Sequence, residues 1–269
     1  MTHPLLLLRF LVPLACVTTS LLCAQQPSWD YVGGGFGGSD LRVRDDHASP
    51  LFFGAWGIAP SVQFLHAGES NRQYFEASYS SAVLAADPEY FRTNNWRGRA
   101  RYAYIAPAAE VRMWDRPLLL FVGGSVTSFL SRSDYYYYIR PLNGYSTSID
   151  SWYWSTSADI AVRAEYGIGE REFLSLQCFI PLVSNVSRPQ YSPSTDYSYT
   201  DNTFRMKMFG RTVVFPKNLS CDVLLGFQVP VFWRLNAGVS CEFYYTSYDV
   251  PRELRMYVNV ARGDVFFCF

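Results

Sequence analysis

The sequence predicts an all-β fold, a closed antiparallel transmembrane β-barrel of about ten strands, with twelve or eight strands as alternatives. Three observations predict it: long segments alternate apolar and polar residues, aromatic residues make up 17% of the chain, and short and long connections follow one another in turn. Alternation alone fits either a soluble sheet on a core or a barrel with lipid outside and a polar lumen. The aromatic content favours the barrel, because aromatic residues gather at both membrane interfaces.

The stretch Ser220–Tyr245 shows the alternation in two strands that follow one another. Every second residue from Cys221 to Val229 is apolar, and the pattern resumes through Tyr245 after a tight connection predicted near Pro230. A period of two residues places the apolar side chains on one face of a strand and the polar ones on the other. The stretch therefore predicts an antiparallel hairpin.

The same pattern recurs along the chain in segments that are mostly longer than the typical five or six residues of a globular strand. Gly33–Gly38 is included in the first strand, with a loop as the alternative, and a bulge is predicted at Pro107, where the phase changes. The predicted strands are 29–43, 52–66, 72–86, 99–114, 118–132, 152–168, 172–183, 219–229, 231–245 and 253–269. The segment 204–216 could add two more strands.

The connections between these segments alternate in length. Short turns are predicted near 67–71, 115–117, 169–171 and 230, and longer loops near 44–50, 87–98, 133–151, 184–218 and 246–252. A membrane barrel has short turns at one end and longer loops at the other, whereas a soluble sandwich has no reason to sort its connections in this way. An even number of strands places both termini at the end with the short turns.

The chain ends with Val265, Phe267 and Phe269 in alternation, after a predicted phase change near Ala261. This ending resembles the last strand of Gram-negative bacterial outer-membrane barrels of the small porin-like or OmpA-like kind. Their final residue is typically an aromatic that the barrel-assembly machinery recognises. The resemblance covers about five residues specifically and the rest only as architecture. It implies a location in the bacterial cell outer membrane, with outer-membrane lipids and the assembly machinery as partners and Phe267 and Phe269 as the assembly signal.

Residues 1–24 are predicted to be a secretory signal peptide, with the barrel formed by residues 25–269. The apolar stretch Leu5–Val17 is short and contains Arg9, and Leu22-Cys23-Ala24 resembles a cleavage site. Lipidation of Cys23 is the alternative, although Leu22 is a large residue for the position before a lipidated cysteine.

The composition excludes several classes of function. The chain has 23 basic and 23 acidic residues, so its charge gives no support for a nucleic-acid partner. Cys178, Cys221, Cys241 and Cys268 are scattered singly, and the first three lie in the apolar phase of their strands. We therefore expect neither a metal site nor a bound cofactor.

The weak catalytic candidates are Asp45, Asp46, His47 and His66. Omptin-type outer-membrane proteases resemble the predicted architecture and carry acidic residues and a histidine at the extracellular rim. That resemblance would make Asp45-Asp46-His47 a catalytic group, but these proteases draw their residues from separate loops, and no matching second pair with a histidine is found. Outer-membrane lipid A deacylases and phospholipases use a serine–histidine pair, for which His66 is the candidate. A hydrolase, either a protease or an acyl hydrolase, is the third functional hypothesis.

The polar phase of the strands contains charged residues of both signs. They predict either a selective pore or a network of paired charges that fills the lumen, since buried charges must be paired. About eight strands leave an interior just filled by side chains, and open channels belong to barrels of about 16–18 strands. We favour the filled lumen. The predicted lumen residues are Arg72, Glu76, Glu110, Arg112, Asp159, Arg163, Glu165, Asp222, Arg234, Glu242 and Arg255.

The predicted outer loops are rich in tyrosine beside small polar residues, a composition that suits binding loops. Loops that only pack together over the barrel mouth are an equal alternative. The main hypothesis is a non-enzymatic, surface-exposed structural or binding protein, or an accessory subunit of an outer-membrane complex, with an extracellular ligand or another outer-membrane protein as the possible partner. A small-solute channel is the alternative. The predicted binding-loop residues are Tyr135, Tyr136, Tyr137, Tyr138, Tyr145, Tyr191, Tyr197 and Tyr199.

Overall fold

The fold is that of a computed structural model, which describes residues 29–46, 48–68, 70–86, 91–138, 146–169, 172–189 and 210–269. In this part of the chain, no helix is both long and apolar enough to cross a membrane. The predicted signal peptide and Cys23 lie outside the described residues. The strands are β1 (Trp29–Asp45), β2 (Ser49–Ile58), β3 (Ser61–Ala67), β4 (Arg72–Ala86), β5 (Phe91–Met113), β6 (Arg116–Tyr138), β7 (Ser146–Gly167), β8 (Phe173–Ser187), β9 (Arg211–Val214), β10 (Asn218–Phe232), β11 (Leu235–Tyr248) and β12 (Leu254–Cys268).

The strands close into an antiparallel ring. The order is β10-β11-β12-β1-β2-β4-β5-β6-β7-β8, and β8 returns to β10 through residues 173–179 and 222–228. β2 and β3 form one span, interrupted at Ala59 and Pro60, because both lie between β1 and β4. β9 pairs with β8 and continues into β10, so these two segments also form one span. The twelve described strands thus make ten spans, which confirms the predicted closed barrel.

The barrel has two distinct ends. At the short-turn end lie the connections β3–β4, β5–β6, β7–β8 and β10–β11, together with the beginning of β1 and the end of β12. The other five connections, β1–β2, β4–β5, β6–β7, β8–β9 and β11–β12, lie at the loop end. Both described chain ends therefore lie at the short-turn end, as the even number of spans requires.

Several predicted boundaries are wrong. β5, β6 and β7 extend to 22–23 residues and include much of what was predicted as loop, while the β1–β2 connection is only three residues long. Polar residues hold these extensions together, because Asn95 Nδ2 donates to Ser133 Oγ at 2.7 Å and to Ser131 Oγ at 3.1 Å. The β10–β11 hairpin turns at Trp233 and Arg234 rather than near Pro230, where β10 contains a bulge instead.

Other local predictions are confirmed. The register of β5 against β6 shifts between Pro107 and Ala109, as expected for a bulge at this proline. The glycine-rich segment belongs to β1 rather than to a loop. A Cβ atom on Gly37 would lie 1.9 Å from the carbonyl oxygen of Ala261, so β12 can approach β1 this closely only because residue 37 is glycine. In β12 the same alternate side chains point inward from Leu254 to Cys268. The predicted phase change near Ala261 is therefore wrong.

The outer face is apolar around the described wall. Exposed side chains on it include Trp56 at 76%, Val126 at 55%, Val239 at 57% and Phe269 at 57%. In water such a surface would be an aggregation liability, whereas in a bilayer it is the face that hydrocarbon solvates. In most strands, the apolar side chains of the alternating pattern therefore face the lipid.

The inner face is layered along the barrel axis. An upper apolar layer near the loop end includes Leu41, Phe53, Leu84, Phe129 and Met256. A lower apolar layer nearer the short-turn end includes Tyr31, Tyr74, Ile105, Phe121 and Phe179. Between the two apolar layers lies a belt of buried charges. Along β4, Glu76 lies between Leu84 of the upper layer and Tyr74 of the lower layer, and along β12, Arg262 lies between Val260 of the upper layer and Cys268 of the lower layer.

Candidate functional site: the closed lumen

The central feature of the lumen is an ionic belt, which we define as Glu76, Arg99, Arg101, Asp222, Glu242 and Arg262. These side chains come from β4, β5, β10, β11 and β12, and the alternation of each strand turns them inward. Every one of them is at most 8% exposed, so the belt is sequestered from bulk solvent. Burial of this kind is tolerated only if each charge finds partners of opposite sign.

Arg99 lies at the centre of the belt and contacts three carboxylates. Its Nη1 donates to Asp222 Oδ2 and to Glu242 Oε1, each at 2.6 Å. Its Nη2 donates to Glu76 Oε2 at 2.9 Å and to Glu242 Oε2 at 2.8 Å. The planar guanidinium presents several donors in fixed directions, which suits it to bridge carboxylates from three strands.

Arg262 and Arg101 complete the belt on either side of Arg99. Arg262 donates to Glu76 Oε1 at 3.1 Å and to Glu242 Oε2 at 2.6 Å. Arg101 pairs with Asp222 and also donates from Nε to Thr127 Oγ1 at 3.2 Å. Its guanidinium carbon lies 3.7 Å from the centre of the Phe179 ring. Three arginines and three carboxylates therefore form one neutral group that crosses the lumen.

The belt continues into β6 and β7 through neutral hydroxyls. Thr127 Oγ1 donates to Asp159 Oδ2 at 2.6 Å, and Ser125 Oγ donates to the same oxygen at 2.9 Å. The carboxylate of Asp159 is thereby stabilised by hydrogen bonds rather than by a direct ion pair with the belt. The network joins the two sides of the barrel across its interior.

The buried charges of the whole described lumen balance. Seven arginines and seven carboxylates are buried among the described residues. A lumen that carried a net charge would favour ions of one sign, whereas this one presents none in total. The residues are Arg72, Arg97, Arg99, Arg101, Arg163, Arg188 and Arg262, with Asp45, Glu76, Asp159, Glu165, Asp222, Glu242 and Asp264.

Arg97 lies next to the belt, on the side of the upper apolar layer. It is 5% exposed and lines a cavity of about 30 Å³ together with Arg99, Glu242, Tyr244 and Arg262. Its Nε has no hydrogen-bond partner among the described atoms. A polar cavity of this size can hold one or two water molecules that would satisfy this donor.

A second cavity, of about 50 Å³, lies on the other side of the belt. Tyr74, Gln228 and Ser240 line it, and each is less than 9% exposed. Tyr74 Oη and Gln228 Nε2 have no hydrogen-bond partner among the described atoms. Asp264 also lines it, and Gln63 Nε2 donates to Asp264 Oδ1 at 3.4 Å. The two described cavities in the lumen are thus small, polar and separated by the belt.

Ionic groups also close the lumen near both ends. At the loop end Asp45 accepts hydrogen bonds from Arg188 Nη2 at 2.6 Å and from Ser151 Oγ at 2.5 Å, and Arg188 also donates to the carbonyl oxygen of Arg252 at 2.6 Å. At the short-turn end Arg163 Nε lies 2.6 Å from Glu165, whose other oxygen is 3.5 Å from Arg72.

The catalytic candidates are not brought together among the described residues. Asp45 points into the lumen, and Asp46 accepts a hydrogen bond from Arg44 at 2.8 Å, so both acids have structural partners. His47 lies outside the described residues. His66 lies at the short-turn end, where its Nδ1 is 2.5 Å from Asp30 Oδ1.

The lumen residues predicted from sequence divide into three groups. Seven are buried in the lumen: Arg72, Glu76, Asp159, Arg163, Glu165, Asp222 and Glu242. Glu110 and Arg112 lie beyond the Pro107 bulge, exposed at the short-turn end and outside the network. For Arg234 and Arg255 the prediction is wrong. Arg234 lies on the β10–β11 turn with its guanidinium 4.8 Å from the Trp233 ring, and Arg255 lies on the outer face beside Glu253.

Sequence reasoning missed half of the buried lumen charges. Arg97, Arg99 and Arg101 alternate along β5, but the predicted strand began only at Arg99 and its polar phase was not assigned. Arg262 and Asp264 were missed because of the phase change wrongly predicted near Ala261. A strict period-two count from Thr93 and from Leu254 would have found these residues. Nothing in the local pattern of Arg188, which follows β8, marks it as a lumen residue.

The predicted binding tyrosines are described only in part. For Tyr135 the prediction is wrong, because this residue lies in β6, is 1% exposed, and packs edge-on against Phe53 with ring centres 5.1 Å apart. Tyr136, Tyr137 and Tyr138 also lie in β6 rather than in a loop, and their side chains are outside the described part. Tyr145, Tyr191, Tyr197 and Tyr199 lie outside the described residues.

The terminal aromatics occupy the outer face at the short-turn end. Phe267 is 48% exposed and Phe269 is 57% exposed, and their stacked rings have centres 6.4 Å apart. The backbone N–H of Phe269 donates to the carbonyl oxygen of Asp30 at 3.0 Å, which ties the last residue to the first described strand. Their use as an assembly signal stays a prediction.

In the described part of the chain, no group of three or more His, Cys, Asp and Glu residues is placed to hold a metal ion. The three belt carboxylates are instead occupied by guanidinium groups. What the arrangement does chemically is therefore to fix strands to one another and to fill the space between them.

The closed ring, the apolar outer wall and the filled polar interior define this chain as a membrane-spanning β-barrel protein. No protein-family model and no curated protein matches the chain in sequence.

Solved structures with a similar fold include Neisserial surface protein A, which is 10% identical over 88% of this chain and 96% of its own, with a TM-score of 0.40. The outer-membrane protease OmpT from Escherichia coli is 11% identical over 94% of this chain and 100% of its own, with a TM-score of 0.48. The translocator domain of the autotransporter NalP from Neisseria meningitidis is 7% identical over 97% of this chain and 94% of its own, with a TM-score of 0.47.

Proposed function

We propose that this protein is a closed, non-enzymatic outer-membrane barrel that acts as a surface-exposed structural or binding protein, or as an accessory subunit of an outer-membrane complex. In this proposal the short-turn end faces the periplasm and the loop end faces the outside, as in other bacterial barrels. The observation that supports it is the filled lumen, in which two apolar layers enclose a neutral ionic belt.

The size of the remaining space supports a closed state. The cavities on the two sides of the belt measure about 30 and 50 Å³, and the belt separates them. Each has room for a few water molecules at most, whereas a conducting pore needs a continuous file of water. Ten spans also lie close to the number at which side chains fill a barrel.

Opening the belt would be energetically costly. Separating Arg99 from its carboxylates would leave buried charges without partners, at a cost of about 3–5 kcal/mol for a single broken pair. Arg99 contacts three carboxylates, so a transient gap would require several such bonds to break together. We therefore expect the closed lumen to be the resting state.

Single-channel recording of the purified full chain in planar bilayers tests the proposal. We expect no stable conductance from the wild type once vesicle flotation and heat-modifiable electrophoretic mobility have shown that it is folded in lipid. Arg99→Ala/Arg262→Ala removes the two arginines that bridge Glu76 and Glu242, and we expect it to conduct. Arg112→Ala/Arg116→Ala, which removes two exposed arginines near the short-turn end, is the matched control and should remain silent.

A small-solute channel is the second candidate function. The unsatisfied polar atoms on both sides of the belt favour it, because water bound there would form a continuous path if the belt opened. Stable conductance by the folded wild type, in steps of constant size, would replace the closed-barrel proposal with this one.

The described contact that bears on the hydrolase hypothesis is the one between His66 and Asp30. A carboxylate 2.5 Å from Nδ1 orients an imidazole in the way a general base requires. Among the described residues, however, no serine, threonine or cysteine is hydrogen-bonded to His66. We expect His66→Ala to leave peptide and phospholipid cleavage by membrane preparations unchanged. A loss of cleavage on this substitution would favour an enzyme.

A further inference from the structure

A groove on the outer wall is much larger than the two cavities described in the lumen. It measures about 810 Å³ and lies where β1, β2, β4 and β5 run side by side, toward the loop end. Large apolar and aromatic side chains flank it, and two of them are strongly exposed, Trp56 at 76% and Val83 at 60%. The flanking residues are Trp56, Ile58, Tyr79, Val83 and Trp96.

The groove results from an irregularity in the sheet. β2 is joined to β4 in the described part by two residue pairs only, Gly54 with Ala85 and Ile58 with Ser81. Gly38, Gly57 and Ser81 are the small residues between the aromatic flanks. A Cβ atom on Gly57 would lie 2.2 Å from the carbonyl oxygen of Ser81, so the two backbones can approach this closely only because residue 57 is glycine.

A basic rim borders the groove on its loop-end side. We define it as Arg42 on β1, Arg92 on β5 and Arg132 on β6. Arg42 pairs with Gly54, two residues beyond the pair between Asp40 and Trp56. Arg92 pairs with Ala85, two residues beyond the pair between Asn94 and Val83, while Arg132 pairs with Trp96 itself. All three therefore lie at or just beyond the upper edge of the groove.

The rim keeps cationic groups available to a ligand. The Arg42 side chain is 68% exposed, and its nearest carboxylate oxygen, on Asp40, is 3.6 Å from Nε. The Arg132 side chain is 42% exposed, with Asp134 also 3.6 Å away. Exposed pairs at this distance are weak, and a phosphate that accepts two guanidinium hydrogen bonds at once can compete with them.

We propose that the groove and the basic rim together bind one molecule of lipopolysaccharide, the phosphorylated glycolipid of the outer leaflet. One acyl chain would lie in the groove, between Trp56 and Trp96, and a phosphate of the sugar headgroup would bind Arg42 and Arg92. An apolar groove in the hydrocarbon-facing wall suits an acyl chain, and a cationic rim at the height of the lipid headgroups suits an anionic group. A lipid carries both parts, which neither a soluble anion nor an apolar solute does.

This inference concerns the outer wall and does not depend on whether the lumen is closed. A conducting protein could still bind lipid here, and a closed one could fail to bind it. The two experiments have different readouts, conductance and bound mass, so either proposal can fail alone.

Native mass spectrometry of the purified full chain, released from zwitterionic micelles, tests the proposal with diphosphoryl lipid A as the probe. We expect one tightly bound lipid A per protein. Arg42→Ala/Arg92→Ala should weaken this binding about tenfold or more, since charge-assisted hydrogen bonds to the phosphate are lost. Arg112→Ala/Arg116→Ala, at the other end of the barrel, should bind as the wild type does.

A second variant tests the groove without touching the charges. Gly38→Leu would fill it, and a Cβ at this position meets its nearest neighbours at 3.8 Å, so the backbone has no reason to move. We expect a loss of lipid A binding comparable to that of the rim variant. Gly124→Leu, on the outer phase of β6 and away from the groove, is the matched control.

Two results would overturn the proposal. Unchanged binding by both Gly38→Leu and the rim variant would mean that lipid A covers the wall without a site. Equal affinity for phosphatidylglycerol and lipid A in the wild type would mean that the site recognises any anionic lipid rather than lipopolysaccharide.

Discussion

The upper apolar layer and the ionic belt occupy the same lumen and are equally buried, yet they are chemically opposite. Leu84 and Glu76 lie on the same face of β4, and each is 0% exposed. Leu84 packs among aromatic and aliphatic side chains, whereas Glu76 accepts hydrogen bonds from Arg99 and Arg262. The side chains that point into the lumen therefore need not be polar. An apolar one needs apolar neighbours, and a charged one needs hydrogen-bond partners of opposite charge.

The two layers differ in what holds them in place. The apolar layer gains about 25 cal/mol for each Å² of apolar surface removed from water, and this gain does not depend on direction. The belt depends on directed hydrogen bonds, and the loss of one partner leaves the others as uncompensated charges. The comparison predicts that the belt tolerates substitution less well than the layer, and that the outer-face ion pairs tolerate it best.

Arg99→Ala should give the largest effect. We expect the free energy of unfolding to fall by about 3–5 kcal/mol, because three buried carboxylates lose a donor at once. The measurement is urea unfolding of the protein in lipid vesicles, followed by tryptophan fluorescence. Arg99→Lys keeps the charge but not the planar donor set, and should have a smaller effect. A loss below about 1 kcal/mol for Arg99→Ala would show that water replaces the guanidinium and that the belt is not held by its pairing.

Met256→Ala should give an intermediate effect. Met256 is 1% exposed in the upper apolar layer, and its truncation leaves a cavity that costs about 2–3 kcal/mol where neighbours can partly close it. The same unfolding experiment measures it, with Met256→Leu as a control of similar volume that should cost less than about 1.5 kcal/mol. If Met256→Ala destabilised the barrel more than Arg99→Ala, the order inferred from the comparison would be reversed.

Arg255→Ala should give the smallest effect. Arg255 was expected in the lumen, but it lies on the outer face, where it pairs with Glu253 and its side chain is 41% exposed. Exposed pairs contribute little to stability, so the unfolding midpoint should not change within error. A clear loss of stability here would indicate a partner of Arg255 that the barrel wall does not provide.

Much of the fold could be predicted from sequence because alternation is a local property. β4 has the predicted bounds, 72–86, and the bulge at Pro107 lies where the phase changes. The predictions fail where polar residues were taken to mean loop. Thr93 and Asn95 are buried in β5, and Asn95 finds its partners on β6, a neighbour that no local pattern specifies.

The candidate site could be predicted only in outline. Asp222 and Glu242 were expected in the lumen because they lie in the polar phase of a regular alternation, and both are there. Arg97, Arg99 and Arg262 follow the same rule but lie beside a predicted loop and a predicted phase change, so they were missed. The upper apolar layer was not expected at all, because apolar residues in the inward phase look like breaks in the pattern.

The sequence by itself determined most of the strands, the apolar outer face and the even number of spans. These properties follow from a period of two residues and from the solvent that each face meets. Only the tertiary structure decided which inward side chains meet. Glu76 and Arg262 are separated by 186 residues and become neighbours only when the ring closes with its particular stagger. The closed lumen and the lipid groove are consequences of that stagger, because register between strands is fixed by packing and not by the sequence of any one strand.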